Sequence, residues 1–265
     1  MNNLVYNFNQ ILEFGKSYGL PFEKKRAILR EYLQSKAIEI IYLQKKSKDL
    51  IFIGGTSLRL LRGLDRFSED LDFDMSEELD FKNLDLIVRT VVNRFLKENI
   101  AIELYRNKIS ERIYYELRFS NLLYDLKLSK NKDEKLMIKI DIEKFWQGHH
   151  KETILFNRYG VLSNVVTASL DNILVQKMSA YKNRKQTMAR DIYDIVWLIS
   201  NGAGIDKEFM KKNKIPVSIK SQLLNKYERE KKSIKIYKNR LKPFLISEGN
   251  SEKLDFFKSL INKNI

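Results

Sequence analysis

Two aspartates one residue apart, Asp70 and Asp72, close a stretch that opens on Phe52-Ile53-Gly54-Gly55-Thr56-Ser57. Side chains alternate along a strand, so both carboxylates share a face while Leu71 and Phe73 turn to the core. Paired carboxylates of this kind can bind one or two divalent cations that bridge a triphosphate and an attacking oxygen. Gly54 and Gly55 let backbone N–H groups approach phosphate oxygens, and Thr56 and Ser57 add hydroxyl donors. The Gly-Lys-Thr/Ser ending of a Walker loop is absent. Taken singly, each half has a plainer reading, an acidic strand end in solvent and a strand-to-helix turn. In this order they point to metal-dependent chemistry on a nucleotide.

Further acids and cations recur downstream. Leu136-Met-Ile-Lys-Ile-Asp-Ile-Glu143 alternates as a strand, with Lys139, Asp141 and Glu143 on one face. A strand beside the first would set Asp141 against the same cations, where it would also serve as base toward an attacking hydroxyl. Glu143 is the fallback, and Lys139 has a neighbouring acid to pair with. Lys177 follows Ile173 by four residues on the apolar side of a helix, either snorkelling or turned into a cleft. Arg184, Arg190, Asp191 and Asp194 follow. With Lys177 they form either a surface salt-bridge set or a group converging on a triphosphate and its metals.

The elements that must position these residues read as α+β: a mixed β-sheet core flanked by an N-terminal helix and a helical C-terminal lobe. Residues 22–48 have helical periodicity, with Pro21 at their start. Leu50-Ile51-Phe52-Ile53 is a buried strand. Asp74 to Lys82 is acidic and turn-like, and Asp80 or Asn83 caps a helix over 84–98. Strands follow at 100–105, 112–119 and 136–143. In the second, Ile113, Tyr115, Leu117 and Phe119 face one way and Arg112, Tyr114, Glu116 and Arg118 the other. Residues 144–166 read as irregular, helices as 168–182 and 188–200, and the last 55 residues as weakly periodic, Lys-rich helices. The expected division is an α/β lobe over 1–150 and a helical lobe over 151–265, with a cleft between.

Composition narrows the chemistry. The 265 residues are 43% hydrophobic, enough for a real core, and no apolar run approaches the ~18 residues of a membrane span. Met1-Asn-Asn-Leu-Val-Tyr6 has neither the basic nor the apolar region of a signal peptide, so a cytoplasmic location is expected. With no cysteine and one His149-His150 pair, any metal must be held by oxygens, which favours Mg2+ or Mn2+. The net charge of +15 points to a polyanionic partner, nucleic acid ahead of membrane, against a Lys-rich background. Residues 206–265 carry 16 Lys/Arg against 7 Asp/Glu, a net of +9, which concentrates the surplus there.

The motifs together resemble the AbiEii/AbiGii abortive-infection toxins: Gly54-Gly55-Thr56-Ser57-Leu58-Arg59, Arg66-Phe67-Ser68-Glu69-Asp70-Leu71-Asp72-Phe73, Ile138-Lys139-Ile140-Asp141 and Lys177 with Arg190-Asp191-Ile192-Tyr193-Asp194. The resemblance spans roughly residues 25–200, and 206–265 contribute nothing to it. It implies a minimal nucleotidyltransferase core, magnesium, a nucleoside triphosphate as donor and pyrophosphate as leaving group. It also implies a cognate antitoxin and a role in phage defence, with RNA, and the tRNA 3′ end above all, as acceptor. By the same resemblance Gly55, Thr56 and Ser57 hold the β/γ phosphates; Gly54, Arg66, Ser68, Arg184 and Arg190 are counted with the nucleotide site. Asp70, Asp72 and Asp141 hold the metals, Lys177 contacts the triphosphate, and Asp191 or Asp194 completes the pocket. Ser57 stands where alanine is frequent. The competing readings are transfer to a protein or small molecule, γ-phosphate transfer, and a non-catalytic binding scaffold; three retained acids speak against the last.

Overall fold

A computed structural model describes residues 3–76, 79–109 and 112–265. Glu77 and Glu78 of the acidic turn, and Met1 and Asn2 of the N-terminal hexapeptide, lie outside them. Contacts divide the chain into two compact units. The first holds residues 1–63, 67–145 and 153–167, and the second 64–66, 146–152 and 168–265.

The first unit is built on a seven-stranded sheet in the order β3-β4-β5-β2-β1-β7-β6. Its strands are β1 (Leu50–Ile53), β2 (Leu71–Met75), β3 (Ile102–Ile109), β4 (Arg112–Phe119), β5 (Leu136–Glu143), β6 (Lys151–Arg158) and β7 (Val161–Ala168). Helices α1 (Asn3–Tyr6), α2 (Phe8–Ser17), α3 (Lys25–Tyr42), α4 (Gly54–Arg62), α5 (Phe81–Lys97) and α6 (Leu122–Asp125) accompany it. Asp80 caps α5, its carboxylate accepting from the Asn83 amide at 2.7 Å. Alternation sorts the central strands into two faces. Phe52, Leu71, Phe73, Ile140, Ile142, Ile113, Tyr115 and Leu117 are buried on one face, the side served by α3 and α5. Burying each of the larger side chains contributes roughly 1.5–3 kcal/mol. The other face carries Asp72, Lys139, Asp141, Glu143, Arg112, Tyr114, Glu116 and Arg118.

Residues 144–166 are not irregular. Most of them form the β6–β7 hairpin, turned at Tyr159 and Gly160, both at positive φ (54° and 74°). Exposed side chains alternate along both strands, and Tyr-Gly is a weaker turn signal than Asn-Gly or Asp-Gly. β7 docks parallel to β1, where Thr167 Oγ1 donates to the Phe52 carbonyl at 2.6 Å. The Tyr42 hydroxyl lies 2.9 Å from the Leu50 carbonyl and 2.8 Å from that of Val166. Glu31 on α3 receives Arg59 of α4 at 2.8 Å in a buried ion pair that fixes α4 against the core.

The second unit is helical: α7 (Leu170–Asn183), α8 (Ala189–Ser200), α9 (Lys207–Lys212), α10 (Ile219–Glu230), α11 (Ile234–Leu241) and α12 (Phe257–Asn264). Ser169 caps α7, accepting from the Asn172 amide at 3.3 Å. Ile173, Leu174, Ile192, Ile195, Leu223 and Ile261 form its core, with Phe257 against Tyr227 and Tyr181 at 4.9 and 5.5 Å between ring centroids. The short segment 64–66 joins this unit through an Arg66–Leu245 bridge and the Ile246 amide on the Asp65 carbonyl at 3.2 Å. Among the described residues no helix is long and apolar enough to cross a membrane.

Candidate active site

The acid pair is made by sheet register. β2 and β5 run parallel, and Asp72 is the Cα partner of Asp141. Neighbouring strands lie about 4.8 Å apart, so two carboxylates project side by side from the polar face. Asp70 sits just before β2, half-exposed like Asp72, while Leu71 and Phe73 are fully buried. Asp74, next on the same face, is buried, and its Oδ1 accepts from the Phe145 and Met75 amides at 3.1 and 3.2 Å. It tethers the strand ends.

Asp141 is 7% exposed and already answered by cations. Arg112 reaches its Oδ1 at 3.1 Å and Glu143 at 3.0 Å, and Lys139 reaches its Oδ2 at 2.9 Å. Burial disfavours the Arg112 charge, but Asp141 and Glu143 outweigh it and raise the guanidinium above its ordinary value, with Asp72 adding to the effect. Lys139 pairs with an acid, as its place on the strand suggests. Arg112 was not singled out from sequence; its signal is the alternation that sets it on the polar face of β4.

Gly54 ends β1 and begins α4 at φ +78°, a conformation L side chains rarely adopt. A Cβ there would meet Asp72 Oδ2 at 2.2 Å. The acid is therefore seated against bare backbone at a helix N-terminus, where Gly54 to Thr56 carry N–H groups that the helix leaves unbonded. Gly54→Ala is expected to destabilise the fold by about 1–3 kcal/mol and to displace the Asp72 carboxylate. Thermal denaturation and a transfer assay on the same sample check both effects; wild-type values in both would contradict this seating.

The hydroxyls of Thr56 and Ser57 are placed differently from the phosphate-binding expectation. Both residues are buried; Thr56 Oγ1 donates to the Asp70 carbonyl and Ser57 Oγ to the Gly54 carbonyl at 2.9 Å. They brace the turn. Ser68 is half-exposed, and its carbonyl accepts from Gln34 Nε2 at 3.1 Å.

In the second unit, Asp194 is fully buried between two cations. Arg66 donates through Nε and Nη2, both at 2.7 Å, and Lys177 Nζ lies 2.7 Å from Oδ2. Burial would raise this carboxyl, but Arg66 and then Lys177 outweigh it and hold it at about 2. Asp191 is buried too, and burial raises its carboxyl against the pull of Lys177 and of Arg184, 2.8 Å away. Asp191 and Asp194 are thus neither a surface salt-bridge set nor two equivalent acids. Asp194 is an anchor for Arg66 and Lys177. Arg66, 1% exposed and bidentate on Asp194, is a structural cation rather than one presented to a ligand. Arg184 is exposed and Arg190 half-exposed.

The fit of these residues to a divalent cation rests on the donors themselves. Among the described residues no three acids or histidines form a group able to hold a metal. The in-register pair Asp72 and Asp141 offers hard oxygens, and Mg2+ characteristically takes one or two carboxylates, completing its shell with water and substrate phosphates. The pair fits that habit.

A seven-stranded mixed sheet with an acid pair beside a glycine-opened helix defines the nucleotidyltransferase-like class. Two Helicobacter pylori crystal structures share the fold. One, described provisionally as a nucleotidyltransferase, is 21% identical, with 89% of this chain and 95% of that one covered and a TM-score of 0.56. The other, JHP933, is 20% identical, with 89% and 92% covered and a TM-score of 0.53. Among curated proteins no sequence matches the chain. Residues 38–256 match the family model "Nucleotidyl transferase AbiEii toxin, Type IV TA system", and the chain belongs to that family. The match runs well into residues 206–265, where sequence motifs alone carried no resemblance.

Proposed function

We propose that the chain is a toxin that transfers a nucleoside monophosphate from a nucleoside triphosphate to RNA, at the tRNA 3′ end, and so blocks translation. The observation that carries this reading is the register of Asp72 beside Asp141 next to the open backbone of Gly54. Asp72 and Asp141 would hold Mg2+ or Mn2+, with water and substrate phosphates completing the shell. A cation bound there supplies charge neutralisation at the phosphates. The α4 N-terminus receives phosphate oxygens on its backbone amides. Asp141 takes the proton as a ribose hydroxyl attacks the α-phosphorus; the new P–O bond forms, the bond to the β-phosphate oxygen breaks, and pyrophosphate leaves. Asp194 orients Lys177 within the second unit. The basic surplus supports RNA as acceptor, and a cognate antitoxin in the same cytoplasm is the expected partner.

The test is isotopic. With magnesium and total RNA, label from α-labelled triphosphate is expected in RNA and label from γ-labelled triphosphate is not. Transfer of γ-label would make the protein a kinase, and α-label on protein would move the acceptor away from RNA.

A further inference from the structure

The polar sheet face continues past the acid pair into side chains that phosphoryl chemistry does not require. Cα partners run in one row from Asp72 through Asp141 and Tyr114 to Asn107. At about 4.8 Å per strand, Tyr114 stands one step from Asp141, and edge strand β3 two. In the next row Lys139, Glu116 and Tyr105 are partners. The Tyr105 and Tyr114 rings are 6.4 Å apart at 42°. Each has a cation against it: the Arg118 guanidinium 4.8 Å from the Tyr105 centroid, and Lys139 Nζ 4.5 Å from that of Tyr114. Asn107 Nδ2 donates to the Tyr114 hydroxyl at 3.0 Å and steadies that ring. Tyr105 remains 42% exposed and Met137, on the same face, 43%.

Ring faces and cations side by side on a rigid sheet are what an unpaired nucleic-acid strand uses: bases stack, and phosphates find positive charge. A duplex hides its base faces and gains only the second term. A protein partner would also accept an exposed Tyr and Met; the chain's net charge of +15 favours a polyanion, while the ring cations are themselves paired, Arg118 with Glu116 and Lys139 with Asp141 at 2.9 Å. The local acids Glu116 and Asp141 lower the positive field here, so stacking rather than bulk charge must carry the recognition.

We infer that the β3–β4–β5 face is the platform for the acceptor strand, with Tyr105 and Tyr114 stacking unpaired bases beside the acid pair. The identity of that strand rests on the proposed transfer to RNA; the stacking itself does not. The experiment is fluorescence anisotropy of the full chain with a short, unstructured pyrimidine RNA and with a blunt duplex of the same sequence, at fixed salt and without triphosphate or metal. Wild type is expected to favour the single strand several-fold. Tyr105→Ala weakens single-strand binding about tenfold, leaves duplex binding unchanged, and Tyr105→Trp restores the preference. Tyr105 sits on an edge strand, and a matching melting temperature for the variant shows that the fold is intact. Equal binding by wild type and Tyr105→Ala, or equal losses for both RNA forms, overturns the platform. Because no triphosphate is present, the result stands apart from the transfer assay: transfer with no Tyr105 effect removes the platform alone, and a Tyr105 effect without transfer removes the enzyme reading alone.

Discussion

Asp72→Asn is expected to lower nucleotidyl transfer by at least about a thousandfold while the melting temperature stays within a few degrees. The substitution keeps size and hydrogen-bonding capacity but removes the charge that a divalent cation and a polarised phosphate require. Asp72 is half-exposed on the sheet face, while its neighbours Leu71 and Phe73 carry the packing at 0 and 1% exposure. Activity and stability therefore separate at adjacent positions: Phe73→Ala should cost about 3–5 kcal/mol, and Asp72→Asn little. Asp141→Asn is expected to match Asp72→Asn in activity. It also leaves Arg112 and Lys139, now 3.1 and 2.9 Å from a carboxylate, beside a neutral amide. Transfer and thermal denaturation measured on the same preparations check this, and near-normal transfer by either variant would sink the acid-pair mechanism.

A second large stability effect is expected at Arg66. Removing one partner of a buried ion pair typically costs about 3–5 kcal/mol, and here Lys177, 2.7 Å from the same carboxylate, keeps part of the compensation. Arg66→Ala should therefore lower the melting temperature by roughly 10 °C. Replacing the whole group, Arg66→Met and Lys177→Met with Asp194→Leu, should be milder than Arg66→Ala, because neither a stranded carboxylate nor a stranded ammonium remains. A variant that melts like wild type and changes only triphosphate binding would restore Arg66 as a nucleotide contact. The same pair sets an acid limit. Asp194 is held at about 2 against an ordinary 3.8, so its contribution is complete above roughly pH 4 and is lost as pH falls toward 2. That difference is worth roughly 2 kcal/mol. Acid unfolding of the Arg66→Met/Lys177→Met/Asp194→Leu protein should lack this component.

Much of the first unit was legible in the chain because its signals are local. Alternation located β4 and β5, the glycine pair closed β1, and the Asp80/Asn83 cap candidates announced α5, of which Asp80 is the cap. The acid pair was half legible. Asp-Leu-Asp and Ile-Lys-Ile-Asp each show a polar strand face, but the parallel register joining residues 72 and 141 is a long-range fact with no local trace. The Arg66–Asp194 pair spans 128 residues and was unreadable for the same reason. The family resemblance grouped Arg66 with the nucleotide site through the block it shares with Asp70; packing gives it to another unit. Thr56 and Ser57 show a different limit. A hydroxyl at a helix start reads the same whether it faces a ligand or a carbonyl, and here both face carbonyls. The β6–β7 hairpin was missed because its strands are half-exposed and its turn carries Tyr-Gly.

The most direct measurement is sequencing of RNA 3′ ends after incubation with purified protein, magnesium and each nucleoside triphosphate, with Asp72→Asn in parallel. The proposed mechanism predicts tRNA ends extended by added nucleotides with wild type and unchanged ends with the variant. Unchanged ends with both, or equal extension by both, would contradict it.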